Sequence, residues 1–324
     1  MNLYPVASYL RHVFTARSTA GYGVHSPFMF DFLRSVVRVK TSAGILVSVE
    51  GLRHEMLHDD RIIYMMDLGT GVDRERKIRD IAGRDSLPVR YVSLLARIVH
   101  GMGYGVSASG RTGGGIGHER TDVTQSREAG EHGTRGKEQG APGREDKPAG
   151  GQEGWPGAGC VEQDKGYTEE DGIILELGTS LGISTLAMSL AAPETMVVSV
   201  EGCPQLADVA KENLKRHGAG NALVLNMEFD DALEKLREEK TKVTFAFIDG
   251  NHRGEALKHY IRTIKDMGEE MIIVADDIHL NRDMSRAWRC LTQSGTAPAT
   301  LETFHFGMIF FLNKMTPGRY RIRY

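Results

Sequence analysis

The stretch "ILELGTSLGIST", residues 174–185, decides the fold. An apolar run ends here in Glu176 and leads into the short glycine loop 178–182. The loop is Gly-x-Ser-x-Gly, the pattern of a serine hydrolase elbow, in which Ser180 would be the nucleophile. With Glu176 in front, the same residues match the loop that begins a nucleotide-binding Rossmann unit. Residues outside the loop must separate the two interpretations.

After residue 172, apolar strand patterns alternate with amphipathic helix patterns. The predicted strands are 173–177, 196–201, 221–226, 242–249 and 271–277, and the helices are 183–192, 204–218, 230–239, 255–267 and 281–293. Five such units predict a doubly wound, mostly parallel α/β sheet that is buried on both faces. "TLETFHF" and "GMIFFLN" predict two closing strands, one of them antiparallel, with "RYRIRY" as a further candidate. We therefore predict a Rossmann-like sheet of seven strands.

The position of the loop favours a cofactor site over a nucleophile. In open parallel sheets, ligands bind at the carboxyl ends of the strands, where the first strand meets the helix that follows it. The second strand ends in Glu201, 23 residues after Gly178, and an acid there can accept both hydroxyls of an adenosine ribose. A hydrolase elbow leaves Glu201 without a role. Acid and histidine partners for it do follow, for example Asp249 or Asp277 and then His279 or His305, so the hydrolase stays an alternative.

Residues 1–102 predict a helical region, and residues 103–168 predict a disordered insertion. Helices are expected at 4–16, from Pro27 with Ser26 as its N-cap, and at 89–100. The segment 103–166 holds 18 of the 38 glycines and almost no aliphatic pattern, so it cannot bury enough apolar surface to offset its ordering entropy. The predicted division is a helical region 1–102, an insertion 103–168 and a Rossmann-like domain 169–324.

The composition limits which binding partners and which cellular compartment we expect for the protein. The 324 residues carry a formal net charge of −3, which gives no electrostatic reason to expect nucleic acid or an anionic membrane. The three cysteines are widely spaced and suggest neither a disulfide framework nor a zinc site. With no apolar run of membrane-spanning length, we expect a cytoplasmic protein. Its partner is expected to be a small molecule, and a homodimer is left open.

A partial echo of the loop, "MMDLGTGVD", occurs at residues 65–73. It follows a short apolar run and precedes the charged segment "DRERKIRDIAG", which we predict to be a helix. No strand ending in an acid comes about 20 residues later, as a dinucleotide site would need. We interpret residues 66–73 as a turn between a short strand and a helix, although Asp67 could line the edge of a pocket.

Acidic residues follow the fourth and fifth strands. "FIDGNHR", 247–253, and "VADDIHL", 274–280, place Asp249, Asp276 and Asp277 at the sheet edge that also carries Glu176. Three converging carboxylates repel each other unless they are protonated or bound to a cation. Mg²⁺, which prefers oxygen ligands, is the predicted cation. His252 is the candidate base, because an imidazole titrates near pH 7.

These motifs together resemble class I S-adenosylmethionine-dependent methyltransferases, especially the metal-dependent catechol and caffeoyl-CoA type O-methyltransferases. Over residues 172–312, "ILELGTSLGIST" is similar to the first motif of that family and "VVSVEG" to the second. "FDDALEKL" resembles the segment beside the adenine, and "FAFIDGNH" and "VADDIH" resemble the metal-binding strand ends. Two departures stand out: Asp277 replaces the family's Asn, and His252 occupies the position of its catalytic Lys.

The resemblance implies a role for each matched residue. The cofactor S-adenosylmethionine would be bound by Glu176, Gly178, Thr179, Ser180, Gly182, Glu201, Asp230, Asp231 and Asp249. The metal ligands would be Asp249, Asp276 and Asp277, and the catalytic residues His252 and Asp249. The predicted function is methyl transfer to an oxygen of a small-molecule acceptor with help from Mg²⁺. Alternatives are a metal-independent methyltransferase, the serine hydrolase and a non-catalytic binding module; a NAD-dependent oxidoreductase is disfavoured because the loop lacks Gly-x-Gly-x-x-Gly.

Overall fold

The computed structural model describes residues 4–19, 24–65, 74–103, 172–295, 297–313 and 315–324. All of them belong to one compact unit, which spans Met1–Ser109 and Lys165–Tyr324. The predicted insertion 103–168, apart from its first residue, and the glycine turn 66–73 with Asp67 lie outside the described residues. Within the described ranges, no helix is long and apolar enough to cross a membrane.

Most helices form where the apolar periodicity and the capping residues predict them, but the helix at Ala43–Leu57 was not predicted. Ser26 accepts a hydrogen bond from the Met29 amide at 3.4 Å and caps the helix that begins at Pro27. The helices are α1 Tyr4–Thr15, α2 Pro27–Phe32 with the π-helical turn Leu33–Val37, α3 Ala43–Leu57, α4 Ile78–Arg84, α5 Val89–Gly103, α6 Ile183–Ala191, α7 Pro204–Arg216, α8 Phe229–Glu238, α9 Gly254–Lys265 and α10 Arg282–Gln293.

The five strands predicted after residue 172 are all present, each followed by its helix. The strands are β1 Arg17–Ser18, β2 Ile62–Met65, β3 Arg74–Lys77, β4 Ile173–Leu177, β5 Val197–Glu201, β6 Ala222–Asn226, β7 Val243–Ile248, β8 Met271–Ala275, β9 Ala299–Glu302, β10 Gly307–Phe311 and β11 Gly318–Arg323. Every residue of β8 and β10 is buried, as strands covered by helices on both faces must be.

The main sheet has the order β1-β11-β9-β10-β8-β7-β4-β5-β6. Within it, β10 runs antiparallel to β8 and β9, and the other neighbours are parallel. The seven predicted strands, β4 to β10, are confirmed, and β11 and β1 extend the sheet beyond β9. From β4 the chain adds β5 and β6 on one side of the sheet, and then β7 and β8 on the other side. The strand order therefore reverses between β4 and β7, and the carboxyl ends of these two strands mark the expected ligand site.

The helical N-terminal region packs on the strands after residue 172. Helices α3 and α5 contact α6, and the fully buried Tyr91 of α5 packs against Phe306 with ring centroids 4.9 Å apart. On α2, the ring of Phe32 lies 5.1 Å from that of Phe310 on β10. One hydrophobic core therefore includes both parts of the chain.

Two local expectations about the N-terminal region were wrong or incomplete. The charged segment after the glycine turn is not helical from its start, because Arg74–Lys77 pairs with β2 in a two-stranded sheet and α4 begins only at Ile78. The periodic apolar residues of α1 do not face the core: Val6, Leu10 and Phe14 are 58%, 51% and 85% exposed. The same helix buries His12 instead. Apolar periodicity predicted α1 as a helix but did not predict which face of it packs against the rest of the protein.

Candidate functional site

The glycine loop lies at the carboxyl end of β4; packing requires glycine at 178, and a positive φ favours it at 182. Gly178 has φ +107°, and a Cβ there would lie 2.1 Å from the carbonyl oxygen of Asp249. Gly182 has φ +81° and precedes α6; a Cβ there would lie 3.4 Å from Leu214 and 3.5 Å from Ala210 of α7. The neighbours of the two glycines are therefore the loop after β7 and helix α7.

Glu176 is fully buried beneath the loop. Its Oε2 accepts hydrogen bonds from Thr185 at 2.5 Å and from Ser199 at 2.6 Å, while Oε1 has no partner among the described residues. The hydroxyls of Ser199 and Thr179 are 2.5 Å apart, so the polar network continues into the loop. Burial raises the pKa of Glu176 to about 7. The unpartnered oxygen is therefore free to hold a proton or to meet a ligand.

Replacing Glu176 by Gln should remove a pH dependence of stability. A carboxyl with a raised pKa holds its proton in the folded state after the unfolded chain, with a pKa near 4.5, has lost it. The wild type should therefore lose about 3 kcal/mol of unfolding free energy relative to Glu176→Gln as pH rises from about 4.5 to 7. Urea denaturation at several pH values measures this, with Glu194→Gln as an exposed control. A constant difference would mean that Glu176 ionises normally.

Glu201 ends β5 and binds the backbone of the loop. Its Oε2 accepts the Ser180 amide at 2.8 Å, and its Oε1 accepts the Cys203 amide at 3.0 Å. Ser180 has φ +49°, an uncommon conformation for a residue other than glycine, which this hydrogen bond stabilises. Burial raises the pKa of Glu201. The sheet thus brings Glu201 to the glycine loop, as the spacing predicted.

Asp249 and Asp276 lie together at the ends of β7 and β8. Their backbone amides donate to Leu177 and Ile248 of the adjacent strands, which aligns the two residues at one edge. Burial, followed by the neighbouring Asp276 charge, raises the pKa of Asp249 well above its usual value. Burial and then the Asp277 charge raise the pKa of Asp276 to about 7. Asp276 Oδ1 is buried and has no partner among the described residues.

Asp277 faces a residue that the sequence did not assign to the metal, His305. His305 Nδ1 lies 3.5 Å from Asp277 Oδ1. Ligand atoms of Asp276, Asp277 and His305 all lie within 4.8 Å of one another. The antiparallel register, in which Gly307 is opposite Ala275, carries His305 to this position. Histidine was considered there only for the hydrolase, because pairing register cannot be read from two isolated apolar segments.

Helix α5 and the segment that precedes it cover the site at the carboxyl ends of the strands. Tyr91 of α5 packs its ring 4.8 Å from the ring of His305, and burial raises the pKa of Tyr91. Asp85, Ser86 and Leu87, between α4 and α5, lie over the glycine loop and leave a cavity of about 20 Å³. That volume holds about one water molecule. No signal in residues 1–102 pointed to this contact.

The other predicted site residues lie at the rim. His252 is half-buried, and its Nε2 is 4.0 Å from Asp249 Oδ1. Asp230 and Asp231 are exposed in the first turn of α8, and Asp230 accepts a hydrogen bond from His259 at 2.8 Å. The neighbouring Phe229 is close to the β7 loop, since a Cβ on Gly250 would meet its ring at 2.7 Å. The start of α8 is therefore near the edge, but its two carboxylates point to solvent.

The hydrolase interpretation gains no support from the geometry. An acid–histidine pair does exist in Asp277 and His305. Within the described ranges, however, no hydrogen bond joins the Ser180 hydroxyl to a histidine, and the Ser180 amide is held by Glu201. A nucleophilic serine needs a base within hydrogen-bonding reach. The elbow pattern at 178–182 thus serves as a turn around Gly178.

Residues 175–278 match the family model described as a methyltransferase domain. The matched segment begins within β4 and ends just after Asp277, so it covers the glycine loop, Glu201 and the three aspartates. The predicted resemblance is thereby confirmed over this segment. This part of the chain is therefore similar to a methyltransferase domain.

Three solved structures are similar to part of the chain. Cofactor-bound Rv0187 from MTB is 26% identical, with 43% of this chain and 73% of that chain covered and a TM-score of 0.37. An O-methyltransferase from Bacillus cereus in complex with SAH is 21% identical (42% and 71% covered, TM-score 0.36). The O-methyltransferase TomG from Streptomyces achromogenes, involved in tomaymycin synthesis and in complex with SAM, is 19% identical (43% and 73%, 0.37). A search of the curated proteins found no match.

Proposed function

We propose that this chain, whose residues 175–278 match a methyltransferase domain, transfers the methyl group of S-adenosylmethionine to an oxygen of a small molecule with help from a divalent cation. The observation that carries the proposal is the shared edge: the glycine loop, Glu201 and three aspartates meet at the carboxyl ends of β4, β5, β7 and β8. The glycine loop and Glu201 suit a nucleoside, and the three aspartates suit a cation.

The residues present fit the cofactor in kind. Glu201 offers acceptors for ribose hydroxyls beside the loop, and the unpartnered Oε1 of Glu176 offers an acceptor close to it. The free amides at the start of α6 add donors for a carboxylate. Because the space between the segment 85–87 and the glycine loop is only about 20 Å³, we infer that cofactor binding requires this segment to move away from the loop. Thr179 and Ser180 then position the cofactor through their backbone.

The residues also fit a divalent cation. Asp276 Oδ1 is buried without a partner among the described residues, and one ligand atom from each of Asp276, Asp277 and His305 lies within 4.8 Å of the others. Asp249, at the end of the adjacent strand β7, would complete an oxygen-rich set. Imidazole is a less usual ligand for Mg²⁺ than for transition metals, so Mn²⁺ should be tested beside Mg²⁺. When bound, such a cation lowers the pKa of an acceptor hydroxyl.

The side chains around the cation site have separate tasks in the proposal. His252, 4.0 Å from Asp249, takes the proton of the acceptor hydroxyl at Nε2. Tyr91, whose ring packs 4.8 Å from that of His305, excludes water from this side of the cation site. Positioning the acceptor oxygen in line with the methyl group supplies much of the rate enhancement.

Calorimetric titration of S-adenosylhomocysteine into the full chain, with and without Mg²⁺ or Mn²⁺, tests the proposal. We expect binding without added cation, and cation binding that Asp277→Asn weakens by at least about tenfold, since a lost charged ligand is worth 1.5–3 kcal/mol. Asn keeps the shape of Asp277 and tolerates its φ of +53°. Transfer of a labelled methyl group to a panel of phenols, thiols and amines then identifies the acceptor atom.

Three results would count against separate parts of the proposal. Absence of S-adenosylhomocysteine binding would contradict the methyltransferase function. Methyl transfer that persists in EDTA at an unchanged rate would contradict the proposed role of the cation. Transfer confined to thiols or amines would exclude the assignment to oxygen.

A further inference from the structure

A second cluster of potential metal ligands lies beside α1, apart from the site described above. It comprises His12 of α1, His279 in the loop after β8, and Glu302 at the end of β9. One ligand atom from each lies within 4.8 Å of the others. His12 is 4% exposed, and the side chains of His279 and Glu302 are 14% and 11% exposed. The methyl-transfer proposal uses none of the three.

The hydrogen bonds of His12 leave a lone pair aimed at Glu302. Its Nε2 lies 2.9 Å from the carbonyl oxygen of Ile322, which can only accept, so Nε2 carries the hydrogen. In the neutral ring, Nδ1 is then an acceptor. This Nδ1 is buried, lacks a hydrogen-bond partner among the described residues and lies 3.9 Å from Glu302 Oε1.

His279 shows the same arrangement. The Ser285 hydroxyl donates its single hydrogen to the Ile278 carbonyl at 3.3 Å. We assign the Ser285 hydrogen to this bond, so that His279 Nδ1, 3.0 Å from the Ser285 oxygen, is the donor in their contact. Its Nε2 is left as a lone pair 3.1 Å from Glu302 Oε1. Each histidine thus donates its N–H to an outer partner, Ile322 or Ser285, and directs its unprotonated nitrogen at Glu302 Oε1.

Glu302 is ionised and still has room for a ligand. Burial by itself would raise the pKa of Glu302, but donated hydrogen bonds, among them that of the Arg321 guanidinium, outweigh it and lower that pKa. Trp288 donates to Oε2 at 3.1 Å, and Arg321 donates to Oε1 at 2.5 Å. Each carboxylate oxygen has two lone pairs, so Oε1 keeps one that faces the histidines.

We propose that a divalent transition metal, Zn²⁺ by its donor set, binds between His12 Nδ1, His279 Nε2 and Glu302 Oε1. Two imidazoles and one carboxylate form a known set of three protein ligands for zinc. Tetrahedral zinc with bonds near 2.0–2.1 Å separates its ligands by about 3.3 Å, and the two distances from Oε1 to the nitrogens, 3.1 and 3.9 Å, bracket that value. With the hydrogens assigned as above, none lies between His12 Nδ1 or His279 Nε2 and Glu302 Oε1. A cation bound there would be attracted by all three acceptor atoms.

The surroundings match those of a metal site. The Ile322 carbonyl and the Ser285 hydroxyl accept the outer N–H groups of the two histidines, the outer contacts that usually orient metal-binding imidazoles. His279 and Glu302 line a cavity of about 660 Å³ between α1, α10 and the β9–β11 edge. The cavity offers an entry path and space for a fourth, non-protein ligand. Arg11, Arg289 and Arg319 also line it, so that ligand would be anionic.

Metal analysis of the full chain tests the site. The chain is stripped with a chelator, dialysed against Zn²⁺ and then against buffer, and its zinc content is measured; Co²⁺ substitution adds a visible absorption spectrum. We expect one zinc equivalent that is lost in His279→Gln and His12→Gln but survives in Asp277→Asn. Ser285→Ala, which removes only an outer contact, should weaken binding by about 10–100-fold. His259→Gln, a change to an exposed histidine bonded to Asp230, is the matched control.

The proposal is overturned if the wild type retains no zinc, if His279→Gln retains it, or if Asp277→Asn removes all of it. His279 lies in a loop and not in α1, so its variant decides the question even if His12→Gln does not fold. A cluster that is only a hydrogen-bond network would leave zinc content at background in every variant, and this outcome also overturns the proposal.

Discussion

Gly178→Ala should lower the free energy of unfolding by about 3 kcal/mol and S-adenosylhomocysteine affinity by more than about tenfold. The residue combines φ +107° with a Cβ position 2.1 Å from the carbonyl oxygen of Asp249. A methyl group there must push the glycine loop away from β7, because the backbone at Asp249 is itself held by a hydrogen bond to Leu177. The loop and the aspartate edge would then move apart. Denaturant unfolding and calorimetric titration measure the two effects.

Gly218→Ala is the matched control for Gly178→Ala. Gly218 also has a positive φ, +78°, but a Cβ there would have no atom within 4 Å. Its substitution should cost only the conformational strain, about 1 kcal/mol, and leave cofactor affinity unchanged. If both variants lose the same stability and bind alike, the contact with Asp249 has no energetic importance and the loop does not depend on Gly178.

Glu201→Ala should weaken S-adenosylhomocysteine binding by about 10–100-fold, since hydrogen bonds to a charged group contribute about 1.5–3 kcal/mol. The substitution removes the acceptor proposed for the ribose. It also removes the partner of the Ser180 and Cys203 amides. Glu201→Gln, which keeps one acceptor oxygen, should lie between Ala and wild type. Calorimetric titration of each variant gives the affinities.

Glu194→Ala serves as the control for Glu201→Ala. Glu194 is exposed and precedes β5, so it lies at the opposite end of the same strand. Its removal should change neither cofactor affinity nor the unfolding free energy by more than about 0.5 kcal/mol. Wild-type affinity in Glu201→Ala would show that Glu201 only supports the loop and that another group meets the ribose.

Much of the edge could be predicted because each of its parts is a local pattern. Buried strands read as apolar runs, helices as 3.6-residue periodicity, and parallel strands place their carboxyl ends together. Those rules led to Glu176, Glu201, Asp249 and Asp276 from the sequence, although the roles of these residues stay predictions. Asp230 and Asp231 were placed by resemblance alone, and both are exposed.

Other parts could not be predicted because they depend on distant residues. His305 reaches Asp277 through the antiparallel register of β10 on β8. His12 meets Glu302 across 290 residues of chain, after α1 turns its apolar stripe outward and its histidine inward. The lone pairs left on His12 and His279 become visible only when every hydrogen-bond partner is known.

The sequence by itself determined the doubly wound sheet, the glycine loop at the end of its first strand and the acids at the following strand ends. These follow from interactions within a few residues and from the geometry of parallel strands. Only the tertiary structure decided which carboxyls have raised pKa values, that residues 85–87 lie over the loop, and that two histidines meet Glu302. Burial, register and hydrogen-bond partnership are properties of the packed chain, so no local pattern encodes them.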